Sequence, residues 1–379
     1  SPGDLAAAIA AFQDGAPALG DAVSTAAAAP PVALERRFLE RAKSAVPIEL
    51  ALVILVTVIG LGAIAVLARG SAPRPLVRAL AWGAMAVPGL GLSLLLVGHL
   101  PSLTAATALP AIAVGTLAIA LAASPARPRT PTVIGAVVLA GLVVEAATGW
   151  CGALLPFLGG SQLDGARYYG LPNAFIGLLV GAALYVAWRL PRGAGTAVVA
   201  ATAVLAGFPY LGSNLGGAIT ASFAAGAWWS ARRGDGLGPR ALATGIVAAA
   251  AGTAIVALAH ALSPEPTHIT AAVRGGNLIA TYLHRLDLAL TMLREHPASI
   301  IPALGAPALL VAALRPAPPL ARGFASAPGS RDVVAVLAAA GVVAFLANDS
   351  GASAAGLAFG LGLALALWVS LRAMTGEPA

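Results

Sequence analysis

The stretch IELALVILVTVIGLGAIAVLARG, residues 48–70, carries no charged side chain between Glu49 and Arg69. A helix needs roughly 20 consecutive apolar residues to cross the hydrocarbon of a bilayer, and this run supplies them. Lipid offers the backbone no hydrogen-bond partner, so such a segment must be helical; the alternation of a barrel strand is absent. The same pattern recurs at 79–98, 102–123, 132–150, 171–188, 194–212, 214–231, 241–260, 298–314, 333–347 and 352–371. The tenth of these runs is short and ends at the polar tetrad NDSG, which predicts a helix that is tilted, broken or buried among its neighbours. The expected fold is therefore all-α, a polytopic bundle of about eleven transmembrane helices.

Composition agrees. The 379-residue chain is 59% hydrophobic and 10% charged, with a mean hydropathy of +0.89, whereas soluble domains carry about 25% charged residues. A water-soluble globule is excluded. A net charge of +7 in a soluble protein would suggest nucleic acid, but here the arginines fall in short connections between apolar runs, where they act as topology signals. No nucleic-acid partner is expected. Cys151 is the single cysteine, so it has no internal disulfide partner and reads as a packing residue.

Assigning alternate connections to one side puts 14 of the 22 Lys and Arg residues, including every short basic loop, on that side, and 8 on the other. By the positive-inside rule the amino terminus is outside and the carboxyl terminus cytoplasmic. Trp82, Trp188, Trp228, Trp229 and Trp368 then fall at inner helix ends and Trp150 at an outer one. All five histidines, His99, His260, His268, His284 and His296, fall outside, and there is no Gly-Lys-Ser/Thr phosphate loop for a cytoplasmic nucleotide. The polar chemistry gathers at the outward face of what reads as a cytoplasmic membrane.

Residues 1–47 form a polar, amphipathic extracytoplasmic segment in which ERRFLERAK, 35–43, predicts a short entry helix. No basic region followed by an apolar one occurs there, so no signal peptide is expected, and the chain reads as a portion of a longer protein. Residues 48–372 make the transmembrane domain, and 373–379 a cytoplasmic tail.

Four segments carry candidate chemistry. RYYGLPNAFIG, 167–177, brings Arg167, Tyr168 and Asn173 to the outer mouth of the fifth run. Pro172 predicts a helix start with Asn173 in its first turn, where exposed N–H groups favour an anion and Arg167 can hold a phosphate or carboxylate through its planar fork. An interfacial anchor, with the arginine snorkelling, is the alternative. FPYLGSNLGGAIT, 208–220, contains Ser213 and Asn214 and leaves no room for an ordinary loop. It is either a tight hairpin capped by Asn214 or a helix break beside a wet cavity.

In the third segment, Asn348, Asp349, Ser350 and Gly351 join the last two runs, and Asp349 or Ser350 either caps the last helix or belongs to a site, because a carboxylate near the membrane is costly unless paired or wet. Glu145, near the end of the fourth run, is similar, with Arg167 as its counter-ion. The fourth segment, 262–299, places Ile279, Tyr282, Leu283, Leu286 and Leu290 at helical spacing, while Arg285, Asp287 and Arg294 are more polar, as in an interfacial helix. His268 and His284 lack the spacing of a helical metal pair, so no metal and no cofactor is expected. Gly356 and Gly360 make a GxxxG pair that permits close helix packing.

These segments, in this order, resemble an uncharacterised family of bacterial membrane proteins whose transmembrane module follows an extracytoplasmic alkaline-phosphatase-like domain. The family pattern reads RYYGIGNEYMG, a GANxGGTIT-like segment, a SHIGRA loop with an amphipathic helix, and NDSG. This chain has RYYGLPNAFIG, GSNLGGAIT, THITAAV with YLHRLDLALTMLR, and ANDSGASAAG, over roughly residues 130–372. It departs from the pattern at Pro172, Asn173 and Ala174, which replace Gly-Asn-Glu, so any role of that carboxylate is absent or moved. The resemblance implies a phosphatase-like domain as a partner.

The functional expectation is a membrane module that binds or translocates an anionic, lipid-linked or phosphorylated envelope precursor through an outward polar cavity. Arg167 and Tyr168 would hold the anion, Asn173, Ser213, Asn214, Asn348 and Ser350 line the cavity, and Glu145, Asp349 and His268 supply charge balance or proton coupling. One rival is an outward-facing transferase or hydrolase on a lipid phosphate, with Asp349 or a loop histidine as base. Against it, GHLPSLT after the second run lacks the acidic pair typical of many polyprenyl-phosphate-sugar glycosyltransferases. The other rival is an anchor for the phosphatase-like domain or for another partner. Membrane lipid is a partner in every case.

Overall fold

The structure, a computed structural model, describes residues 31–98, 100, 104–123, 128–148, 171–209, 211–234, 236–263, 278–295, 299–348 and 351–377. The described residues form thirteen helices. They are α1 (Pro31–Arg69), α2 (Arg74–Val97), α3 (Ala105–Ala123), α4 (Thr130–Thr148), α5 (Asn173–Ala187), α6 (Arg192–Gly207), α7 (Leu215–Ala231), α8 (Pro239–Leu262), α9 (Leu278–Glu295), α10 (Ile300–Leu314), α11 (Pro318–Ser326), α12 (Ser330–Ala347) and α13 (Gly351–Thr375). Seven of them are long and apolar enough to cross a membrane. The pair α10 and α11, bent by 73°, makes an eighth if taken as one broken span, while α5 and α6 are apolar but shorter. The protein is a membrane-embedded, multi-pass helical bundle.

The bundle is layered. α5, α7, α12 and α13 form its centre, and almost every residue of α5 is buried. A helix that is hydrophobic all round has no polar face to show and is stable where protein or lipid, not water, surrounds it. α1, α3, α8 and α10 form the rim, where Val58, Val114 and Val247 are 63%, 67% and 68% exposed. In water such a surface would aggregate; against lipid it is the natural outer face. Pro47, Pro88, Pro110 and Pro307 lie inside helices, as neighbouring helices in membranes allow.

Lipid tails are as apolar as leucine, so helix association here rests on close packing and polar contacts. A Cβ at Gly177 of α5 would collide with the Ala354 carbonyl and the Ala358 nitrogen of α13, so the two backbones touch. Tyr185 Oη donates to the Leu361 carbonyl at 2.7 Å, further along the same pair, and Thr132 of α4 donates to the Tyr185 carbonyl at 3.1 Å. Of the predicted Gly356 and Gly360 pair, only Gly356 supports a close approach, to α10. A Cβ on Gly356 would sit 3.2 Å from Pro302, and one on Gly360 would meet nothing. The tighter approaches of α13 use Gly177 and Gly181 of α5 and its own Gly362, where a Cβ would sit 2.8 Å from Leu309 of α10.

Two local expectations change. The entry helix at 35–43 is the first part of α1, which runs unbroken past Pro47 to Arg69. The helix predicted in 262–299 is present as α9, yet Leu283 and Leu290 of its apolar stripe are 58% and 42% exposed while Ala289 is buried. α9 touches α12 and α13, and Leu283 and Leu290 point away from the bundle, as expected where lipid rather than protein receives them. Of the alternatives for the tenth run, burial among its neighbours is the one α12 shows, as one unbroken helix.

Candidate functional site

The amino termini of α5, α7 and α13 and the carboxyl termini of α6 and α12 meet at one end of the bundle. α5 begins at Asn173 immediately after Pro172, whose fixed φ suits the entry to a helix, and the Phe175 amide donates to the Pro172 carbonyl at 3.0 Å. α6 ends at Gly207, and a tight turn leads into α7. Within that turn the Ser213 amide donates to the Phe208 carbonyl at 3.0 Å and the Asn214 amide to the Ala206 carbonyl at 2.7 Å. Ser213 sits at φ 45°, a left-handed conformation uncommon for a residue with a Cβ, and its hydroxyl donates to the Pro209 carbonyl at 2.6 Å. Of the two alternatives for this segment, the hairpin capped by asparagine is the one that forms.

Asn214 is its centre. Its Oδ1 accepts from the Gly217 amide at 2.8 Å, capping α7, and its Nδ2 donates to Asn173 Oδ1 at 2.6 Å. The first turns of α5 and α7 are thereby locked together. Asn348, after the last residue of α12, donates through Nδ2 to the Ala344 carbonyl at 2.9 Å. A Cβ at Gly216 would collide with Asn348 Oδ1 and the Ala347 carbonyl, so the start of α7 lies directly on the end of α12. The Gly351 amide at the start of α13 donates to the Asn348 carbonyl at 3.1 Å, and Gly177 places the start of α5 against α13. Asn173, Asn214 and Asn348, distant in sequence, share one corner with the amino termini of α5, α7 and α13. Aligned peptide dipoles leave partial positive charge at each of these amino termini and partial negative charge at the carboxyl ends of α6 and α12.

Ser213 and Asn214 are buried, and so is Glu145, on α4. Arg167, Tyr168, His268, Asp349 and Ser350 lie outside the described residues. Among the described residues no group of three or more His, Cys, Asp or Glu side chains could hold a metal ion.

His260 is a site-end residue that sequence reading did not single out. It is fully buried on α8, and its Nε2 lies 2.9 Å from the Gly207 carbonyl, the last of α6. A helix-terminal carbonyl without an intrahelical partner must be satisfied from outside the helix; the only signal was a histidine at the end of an otherwise apolar run. His260→Leu is expected to lower the unfolding free energy by about 1–3 kcal/mol, the cost of a buried acceptor losing its donor. His260→Gln, which keeps a donor, is expected to recover part of it. Denaturation midpoints of the purified variants check both.

The opposite end of the bundle is cationic and aromatic. Arg189 stacks on Trp188 and Arg192 on Trp229, each 4.1 Å from the ring centroid, and Arg233 and Arg372 lie 5.2 and 5.0 Å from Trp229 and Trp368. Arg189 donates to the Pro128 carbonyl at 2.5 Å. Burial, then the charge of Arg129, pulls its guanidinium below the usual arginine range. Arg78 pairs with Glu377 at 2.7 Å, joining the start of α2 to the residue just beyond α13. Trp and Arg grouped this way are the mark of a membrane–water interface.

Compared with family models, curated proteins and solved structures, the chain finds no match.

Proposed function

We propose that the protein binds, and moves or presents, an anionic lipid-linked or phosphorylated envelope precursor at the asparagine corner. In this reading it crosses a bacterial cytoplasmic membrane eleven times, with that corner outward, the amino terminus outside and the carboxyl terminus inside. The observation that carries the proposal is the convergence of the α5, α7 and α13 amino termini on Asn173, Asn214 and Asn348. Oriented N–H dipoles at a helix start are a ready anion site, and Arg167, six residues before Asn173, supplies a full positive charge. The resemblance to modules that follow a phosphatase-like domain supports an outward, phosphate-bearing ligand.

Asn214→Asp separates the binding role from the structural one. Aspartate caps a helix as well as asparagine does, and the Asn173 amide can turn to donate to it, so the fold is expected to survive. A carboxylate in the corner would repel an anion. Native mass spectrometry of protein extracted gently from its own membranes is expected to find a co-purifying phosphate-bearing lipid species. Its occupancy should fall about tenfold, near 1.4 kcal/mol, in Asn214→Asp and in Arg167→Ala. Unchanged occupancy in both folded variants, or no selective ligand in the unaltered protein, would overturn the proposal in favour of an anchor for a partner domain.

A further inference from the structure

A second polar region lies at the far end of the same helices. α5 has 15 residues, which at 1.5 Å per residue separates its ends by about 22 Å. Where α7 ends and α12 begins, a cavity of about 320 Å³ is lined by Arg232, Gly234, Gly236, Leu314, Arg331 and Asp332, among others. Asp235, next to it in sequence, lies outside the described residues. Arg331 has already committed two donors, Nε to the Ala313 carbonyl at 2.9 Å and Nη2 to the Leu314 carbonyl at 2.8 Å, so it contributes charge more than new bonds. Arg232 has not: its Nε is buried and has no hydrogen-bond partner.

Two more such groups lie close in sequence but outside the cavity lining. Trp228 Nε1, one turn before Arg232, and Ser330 Oγ, next to Arg331, belong to fully buried residues and lack partners. Buried polar atoms in native structures are nearly always satisfied. The guanidinium nitrogen of Arg232, which does line the cavity, only donates, so what it lacks is an acceptor. Gly234 and Gly236 take φ of 123° and 64°, and without Cβ atoms they leave this wall as bare backbone. The Arg and Trp pairs around the cavity, including Arg232 at 5.3 Å from Trp228, set it at headgroup depth.

We propose that this cavity binds the phosphate of a lipid headgroup, with Arg232 supplying the donor fork. The chemistry is that of a phosphate monoanion: Asp332 between two arginines leaves room for one negative charge and disfavours a dianion. This site stands apart from the asparagine corner and does not depend on it.

The test is native mass spectrometry of the delipidated full chain titrated with phosphatidylglycerol and phosphatidylcholine, each in competition with millimolar inorganic phosphate. Phosphatidylglycerol is expected to bind about tenfold more tightly than phosphatidylcholine. Arg232→Gln should lose that preference, and Arg240→Gln, which removes an exposed arginine at the start of α8, should keep it. Asp332→Asn should strengthen phosphatidylglycerol binding several-fold, a gain that misfolding cannot imitate. Competition by inorganic phosphate would make free phosphate a sufficient ligand for the same site, and no competition would assign it to the lipid; either result supports the site. Equal losses in Arg232→Gln and Arg240→Gln, or no gain in Asp332→Asn, would overturn it. Asn214→Asp, at the other end, should change nothing here.

Discussion

Gly177→Leu is expected to prevent the bundle from assembling. The Cβ position at Gly177 is already occupied by backbone atoms of α13, the Ala354 carbonyl oxygen and the Ala358 nitrogen. A flexible side chain in the way could rotate aside; two peptide groups cannot. Separating α5 from α13 would also stretch the Tyr185 to Leu361 hydrogen bond and disturb Leu361, which packs against Gly181. Overpacking a well-filled core costs about 1–3 kcal/mol and sometimes more. A leucine against backbone belongs at or above the upper end, a large share of the roughly 5–15 kcal/mol that holds a typical domain together. The folded, monodisperse fraction after extraction into mild detergent should collapse for Gly177→Leu and fall partly for Gly177→Ala. Gly360→Ala, where a Cβ meets nothing, should match the unaltered protein or exceed it, because alanine is the better helix former. Equal behaviour of Gly177→Leu and Gly360→Ala would show that α5 and α13 are not in backbone contact.

The second large effect is expected at Asn214. Replacing it by leucine removes the cap on α7, worth about 1 kcal/mol. It also removes the donor to Asn173, and it buries a larger apolar group in a space shaped for an amide. Together these predict a loss of about 2–4 kcal/mol. A double-mutant cycle with Asn173→Ala isolates the side-chain bond, since neighbours sharing a hydrogen bond deviate from additivity by about 0.5–3 kcal/mol. Additive losses would mean that the two asparagines do not act as a pair. The corresponding aspartate, which keeps the cap, should unfold near the unaltered midpoint, so stability and ligand occupancy respond differently at one position.

Much of the local structure was legible in sequence. Pro172 before Asn173 marked a helix start because proline fixes φ and has no amide to satisfy, and the turn 208–214 was marked by glycines and an asparagine too close together for a longer loop. Asn173, Asn214 and Asn348 stood out because an amide among long apolar runs is costly without a partner. What sequence could not give was which partner each would find. The Asn173 to Asn214 bond spans 41 positions, and Asn348 lies against Gly216 from much further along the chain. The GxxxG pair is used at Gly356 and not at Gly360 for a related reason: spacing along one helix says that a close approach is available, and only the neighbouring helix decides whether it is used.

Sequence alone determined that the chain is helical and membrane-embedded, because long uncharged runs have no other stable form where water is absent. It also marked the starts of α5 and α7, since capping and proline effects act within a turn. The tertiary structure decided which helices are enclosed and which face lipid, a distinction hydropathy cannot make because both surroundings are apolar. It likewise decided that three helix starts share one corner and that Arg232 and Asp332, about a hundred residues apart, line one cavity. Those arrangements depend on packing between distant segments, which no local pattern encodes.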